Sequence, residues 1–385
     1  DARAALAAIF QGVAAARFRD VCPEVRATVI AAIGAWVARD PAAHMGDAML
    51  KYLAWALSDR AAPVRAAALD ALLALYAVPE SRSPLRPFTE RFSPRFAELV
   101  HDVDDGVAAR GVRLVATLVA AGEMGAASVG DAFRLLTDTA PAVREAAAQL
   151  VVTLLQPGGE EGAEEGGGGG EAAAGAGAAA GLGGSRRGGR GRASAGASAS
   201  TPSLPSWSSS AQLKGLLDIM AGLAKPPAFA GGVGEEEEGE EEGAAAAAPP
   251  PPLAPGAVDV VVDALASLKA PGSATRPRLK MLTDWAALTA ALADDAACEA
   301  RGEAGTTNVA SLLASALRSA AAPSFSASTP APSRAKAAAA ARQALADATA
   351  VVGPALPSLF ARFQADAGVT ASLAACLRWV DLSVY

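Results

Sequence analysis

Histidine is nearly missing from these 385 residues: only two occur, His44 and His101. Neither has a cysteine or second histidine at ligand spacing, which excludes the common zinc patterns. Without a credible base no nucleophile triad can be assembled, and no serine sits in a strand–turn–helix elbow. The glycine runs precede alanine or arginine and never GK[ST] after a strand, so no phosphate-cradling loop is encoded. Asp104 with Asp105, and Asp294 with Asp295, are adjacent pairs, read as helix caps rather than carboxylates facing across a cleft. The expectation is a protein that is not an enzyme and takes no metal or cofactor.

Cysteine is equally sparse. Cys22, Cys298 and Cys376 are far apart and odd in number, which fits a reducing compartment without a disulfide framework. Aromatics make up only 5% and strand-like alternation is almost absent, so the class is all-α. The 52% hydrophobic content overstates the core, because much of it is alanine, which buries little area. No stretch reads as apolar enough and long enough to cross a bilayer, and no signal peptide precedes the first helix. Strong basicity is absent too: the net charge of -7 comes largely from the acidic run Glu235 to Glu242. The first residue is Asp1, not methionine, which reads as an excerpt from a longer protein.

What is present is a repeat. An aspartate followed by valine five places on and arginine six places on occurs at Asp20-Val25-Arg26, Asp59-Val64-Arg65 and Asp138-Val143-Arg144. A degraded copy, Asp102-Val107, has Ala108 where arginine would stand. Each opens an amphipathic helix, and Pro23, Pro63 and Pro141 lie in first turns, where a missing N–H costs little. The copies recur at roughly forty residues, the period of a HEAT-type helical pair. Neither helix of a pair can bury its apolar stripe alone, so the pairs must stack into a solenoid. The aspartate can accept orphan N–H groups, and the arginine can reach an aspartate of the same or the adjacent repeat.

The repeats are expected over 1–156, and two low-complexity inserts then interrupt the pattern. A Gly/Ala/Ser/Arg segment, 157–206, cannot offset its ordering entropy by burial and reads as disordered. A flexible linker of about fifty residues reaches only about 40 Å, so its flanks can stay neighbours. Within it, Arg186, Arg187, Arg190 and Arg192 could touch the phosphates of DNA, or simply belong to a solvated loop. Residues 207–230 hold one helix, Gln212 to Ala224, closed by Pro226 and Pro227. The second insert, 231–257, runs from glutamates through alanines to Pro249–Pro252, which favour polyproline II. HEAT-like helices return over 258–385, at Val258–Lys269, Leu279–Leu292, Val309–Ala321 and Arg334–Val352. Trp285 and Trp379 are expected in the core.

The stretch Asp47 to Phe92 organises the rest. On a helix, Leu50, Leu53 and Leu57 of DAMLKYLAWALSD share one stripe, while Lys51, Tyr52 and Trp55 share the opposite one. Either this helix packs on both sides, or its outward face forms an aromatic and basic groove that receives a partner's side chains.

FRDVCPEVRATVIAAIGAWV (Phe18 to Val37), DAMLKYLAWALSD (Asp47 to Asp59), VRAAALDALLALY (Val64 to Tyr76) and LRPFTERFSPRF (Leu85 to Phe96) resemble the stromalin conservative domain. That domain belongs to the stromal-antigen (stromalin) subunit of cohesin. The resemblance is ordered and nearly ungapped over residues 14–99, and it continues at VDVVVDALASLK from Val258 and at the closing residues. It implies a HEAT-repeat, hook-shaped, nuclear and chromosomal subunit for sister chromatid cohesion and chromosome segregation. Implied partners are the kleisin subunit, the SMC ring through the kleisin, DNA, and motif-bearing regulators such as shugoshin, Wapl and the insulator zinc-finger protein. No membrane partner is implied. The resemblance also implies a groove for short Phe- or Tyr-containing motifs at Phe18, Arg19, Asp47, Lys51, Tyr52, Trp55, Arg91 and Phe92. Phe18 stands where the family usually carries tyrosine, so a hydroxyl is lost there and the ring kept. The competing expectation is a generic HEAT scaffold such as a nuclear transport adaptor.

Overall fold

The computed structural model describes residues 2–125, 129, 132–155, 209–224, 251–268, 279–321 and 331–380. Most of both low-complexity inserts, including Arg186, Arg187, Arg190, Arg192 and the acidic run, lies outside the described residues, as do Asp381–Tyr385.

Among the described residues every regular element is helical. The first half comprises α1 (Ala2–Ile9), a π-helical turn (Phe10–Ala14), α2 (Ala15–Arg17), α3 (Pro23–Arg39), α4 (Pro41–His44) and α5 (Asp47–Ala56). It continues with α6 (Ala62–Tyr76), α7 (Pro79–Leu99), α8 (Asp105–Ala120), a 3-10 turn (Ala132–Thr137) and α9 (Pro141–Leu154). The second half comprises α10 (Ser209–Ala224), α11 (Pro255–Ser267), a 3-10 turn (Lys280–Thr283), α12 (Trp285–Ala293), α13 (Asp295–Ala321), α14 (Ala331–Arg362) and α15 (Ala367–Cys376).

These helices form two stacked layers. In one layer α3 packs on α6, α6 on α8, α8 on α9, α9 on α11, α11 on α13 and α13 on α15. The other layer holds α5, α7, α10, α12 and α14, each against a member of the first. The apolar stripes of the repeat helices pack inward: Ile30, Ile33, Ala68, Leu69, Leu72, Leu114, Val115, Leu118, Ala147, Leu150 and Val151 are buried, and Val29 is half-buried against the core. The helices come close where side chains are small. A Cβ on Gly34 of α3 would lie 2.3 Å from that of Ala71 on α6.

The repeated aspartates and arginines have a common geometry. Asp20, Asp59, Asp102 and Asp138 each accept the N–H two residues on. Arg26, Arg65 and Arg144 each return Nη1 to the carbonyl of their own repeat's aspartate. Arg26 also forks onto Asp59, and Arg65 onto Asp102, so each arginine ties its repeat to the next. At the third junction Ala108 is buried in the arginine's place, and among the described residues no fork reaches Asp138.

Several boundaries move. The segment expected to stay irregular to residue 257 is already helical at Pro255, because proline is favoured at a first turn. The helix expected from Leu279 opens instead as a 3-10 turn, and Asp284 caps a separate α12 by accepting the Ala287 N–H. The helix expected from Val309 starts at Asp295 and is broken at Gly302, whose φ of 69° suits glycine. Helix α14 also outruns its expected end at Val352, continuing to Arg362 through Pro354 and Pro357. Its part Ala338–Arg362 is long and apolar enough to cross a membrane by length and composition, contrary to the expectation from sequence. Alanine raises its mean hydropathy, and its buried residues Val352, Leu356 and Leu359 belong to the common core, with α14 packed on α12 and α13. Trp285 is buried, and Trp379 is half-buried against the core.

Candidate functional site

Helix α5 carries the leucine stripe inward: Leu50, Leu53 and Leu57 are buried. Its opposite face is divided. Trp55 is 51% exposed, whereas Tyr52 is only 7% exposed. The expected outward-facing Tyr–Trp pair is therefore corrected to one exposed ring on a buried one. The cause is tertiary. The π-helical turn brings Phe10 edge-on to Tyr52 at 5.4 Å, and the end of α2 brings Phe18 edge-on to it at 4.8 Å. Tyr52 also meets Trp55 edge-on at 5.5 Å, so it is the support on which the exposed ring rests.

Phe18 stacks on Trp55, with centroids 5.6 Å apart and planes inclined by 22°. Two cations attend the tryptophan. The Arg19 guanidinium lies 5.0 Å from the Phe18 ring and 5.9 Å from the Trp55 ring. The Lys51 Nζ lies 5.2 Å from the Tyr52 ring and 5.8 Å from the Trp55 ring. An aromatic quadrupole holds a cation over its face without neutralising it, so both charges stay available to a ligand. Asp47 is exposed in the first turn of α5, one turn before Lys51, and makes no ion pair among the described residues.

Arg91 and Phe92 sit on α7. There Phe92 tilts against Phe88 at 4.7 Å, and Arg91 lies over the Phe92 ring at 5.5 Å. The structure thus brings Phe18, Arg19, Lys51, Tyr52 and Trp55 into one cluster, with Arg91 and Phe92 as a second aromatic–cation pair on another helix.

Beside Trp55 the surface opens into a hollow of about 590 Å³. Phe18, Tyr52 and Trp55 line it, with Ile30 and Val64 among its apolar residues. The loop Phe18–Val21 and the loop Ser58–Arg60 contribute its remaining walls, and Arg26 paired with Asp59 lies in it as well. Burial pushes the Asp59 carboxyl up, but its bonds to Arg26 and to the Ala61 N–H outweigh this and hold it below the usual aspartate range. Asp20 is likewise held low, by the Cys22 N–H first and by Arg17 second. Ser58, Asp59 and Arg60 were not singled out from sequence as groove residues. Loop residues carry no helical period, and only the position of Asp59 in the repeat motif marked this stretch.

A histidine, cysteine and carboxylate cluster able to hold a metal is not found among the described residues. Cys22 is an exposed free thiol, and Cys298 and Cys376 are buried ones.

Two family models match the chain. One, described as the stromalin conservative domain, covers residues 19–93, and the other, described as the HEAT-repeats domain of cohesin subunit SCC3/SA, covers residues 276–385. Sister-chromatid cohesion protein 3 of Arabidopsis thaliana is 36% identical over 143 residues, which is 37% of this chain and 13% of that protein. The human STAG3-like protein 2 is 36% identical over 97 residues, 25% of this chain and 72% of that protein. Among solved structures, cohesin subunit Scc3 from Z. rouxii superposes with a TM-score of 0.51 at 13% identity, over 98% of this chain and 39% of that one. The last likeness is one of fold. The match to the Arabidopsis protein spans only about an eighth of that relative's length.

Proposed function

The chain belongs to the SCC3/SA family of cohesin subunits, and from that premise we propose that it is a non-catalytic scaffold for sister chromatid cohesion, working on chromosomes in the nucleus. On this reading the solenoid holds the kleisin subunit, and through it the SMC ring, and it displays a docking site for short aromatic motifs of regulators of the shugoshin, Wapl and insulator type. DNA is the further partner, contacted through arginines.

One observation carries the docking reading: a half-exposed tryptophan resting on a buried tyrosine, stacked on Phe18 and flanked by Arg19 and Lys51. Large exposed rings beside desolvated support are the usual energetic centres of interfaces. A partner's phenylalanine can pack against Trp55 with offset or edge contacts, while the two cations bond its backbone or pair with acidic neighbours.

Titration of a labelled Phe-containing regulator peptide tests this. Trp55→Ala is expected to cost about 2 kcal/mol or more of affinity while the chain stays folded. Unchanged affinity in a folded variant refutes the groove. Pull-down with a central kleisin segment tests the scaffold role, and gel-shift assays across salt test the DNA contact. Phosphate contacts demand a steep loss of affinity with rising salt, so a flat response removes that partner.

A further inference from the structure

We propose that the hollow beside Trp55 selects a carboxylate next to the aromatic anchor of a bound peptide, and that Arg60 is the residue that reads it. This rests on the peptide-docking reading above and gives it a chemical specificity.

Consider which polar groups in the hollow still have bonds to make. Asp59 Oδ1 accepts from Arg26 Nη2 and from the Ala61 N–H, and its Oδ2 accepts from Arg26 Nε. Asp20 Oδ1 accepts the Cys22 N–H, and its Oδ2 accepts from Arg17. Both carboxyls are held ionised and have no proton to offer. Arg26 donates Nη1 to the carbonyls of Asp20 and Val21, which completes its fork. The arginine and the two aspartates at the base are therefore committed to one another.

Arg19 and Arg60 are not committed. Both are exposed and line the hollow, and neither makes a hydrogen bond or ion pair among the described residues. A guanidinium offers five N–H donors and no acceptor. The charged capacity left open is thus donor capacity, beside three aromatic rings. Among the lining residues three arginines stand against two aspartates, so the local balance is positive as well.

That chemistry fits one class of ligand. A peptide ring seated on Trp55 with a carboxylate beside it supplies acceptors to Arg60 in charge-assisted bonds. A lysine at the same place meets two like charges, and an amide supplies weaker acceptors. Arg19 is held over the Phe18 and Trp55 rings, whereas Arg60 has no ring beneath it among the described residues and can swing onto the ligand.

The test uses the whole chain and two fluorescein-labelled peptides that differ only beside the ring, Asp-Phe-Asp and Asn-Phe-Asn in a Gly/Ser context. Binding is read by fluorescence polarisation. The wild-type chain should favour the acidic peptide by about fivefold. Arg60→Gln should abolish that preference, bringing the acidic peptide down to the affinity of the amide one. Arg39→Gln, at the far end of α3, controls for bulk charge and should keep the preference. Equal affinity for both peptides in the wild type overturns the proposal and spares the groove. A preference that survives Arg60→Gln, or falls equally in Arg39→Gln, overturns the role of Arg60. Binding of neither peptide overturns the groove reading along with it.

Discussion

Arg65 and Asp102, 37 positions apart, meet in a two-pronged bond: Nε to Oδ2 at 2.8 Å and Nη2 to Oδ1 at 2.6 Å. Each side chain is only 8% exposed. A third bond runs from Arg65 Nη1 to the Asp59 carbonyl, so one guanidinium ties the start of its own repeat to the start of the next. Removing one member leaves the other buried and uncompensated. Arg65→Ala is expected to destabilise the chain by about 3 kcal/mol. Replacing both members with apolar residues of similar volume should cost much less, because the desolvation penalty disappears with the charges. Urea denaturation of the two single variants and the double variant closes the cycle. A loss in the double variant equal to the sum of the two single losses would show that the pair does not act as a unit.

Acid should weaken the same ties. Burial raises the Asp102 carboxyl, but bonds from Arg65 and the Asp104 N–H outweigh it, as Arg26 and the Ala61 N–H do for Asp59. Both carboxyls therefore sit below the ordinary aspartate value of about 3.9. A depressed folded value adds stability that is complete above the unfolded value and is lost as pH falls through the folded one. The melting temperature should hold from neutral pH to about pH 4 and drop below it. Melts followed by circular dichroism should show a shallower acid drop in Asp59→Asn combined with Asp102→Asn, which begins from a lower neutral value.

How much of this could be read beforehand depends on what kind of contact decides each residue's place. The Asp–Val–Arg spacing is local and carries the solenoid: it predicts the helix starts of α3, α6 and α9. The direction of each arginine fork is not legible in it, because the spacing puts an aspartate of the same repeat and one of the next both within reach, and only the packing of the helices sends Arg26 onto Asp59 and Arg65 onto Asp102. The state of Tyr52 is not legible either. It lies on the outer face of α5 by helical period, and a ring more than forty positions earlier in the chain, Phe10, covers it. Arg60 escapes notice for a different reason, being a loop residue whose value comes from what its neighbours have already used. Arg91 and Phe92 were placed in the groove by resemblance alone, and geometry gives them their own ring pair on α7.

Gly111 on α8 marks where the layers touch backbone to backbone. A Cβ there would lie 2.7 Å from the Leu99 carbonyl oxygen and 2.8 Å from its carbon, atoms that no rotamer change can move. Alanine usually stabilises a helix over glycine by about 1 kcal/mol. At this position the clash should win, and Gly111→Ala is expected to cost roughly 2 kcal/mol net. Gly12, in the π-helical turn, has nothing within 4 Å of its hypothetical Cβ. Gly12→Ala should therefore be neutral or stabilising by about 0.5 kcal/mol. Opposite shifts of the denaturation midpoint are the check. Shifts of the same sign would contradict the close α7–α8 approach.

The division of labour on α5 makes the sharpest test, because Tyr52 and Trp55 touch each other yet should fail differently. Tyr52 is enclosed by Phe10, Phe18 and Trp55, so Tyr52→Ala empties a core site and should cost about 3–5 kcal/mol of stability. Its hydroxyl makes no hydrogen bond among the described residues, so Tyr52→Phe should change stability by less than about 0.5 kcal/mol. Trp55→Ala exposes the support and removes one stacking partner, with an expected stability loss of about 1 kcal/mol. Its larger effect should be on peptide affinity. Chemical denaturation gives one axis and peptide titration at a temperature where all variants are folded gives the other. Tyr52→Phe should sit near wild type on both, Trp55→Ala should move mainly along the affinity axis, and Tyr52→Ala mainly along the stability axis. If Trp55→Ala proved the more destabilising of the two alanine variants, the tryptophan would be a core residue and the exposed platform would lose its physical basis.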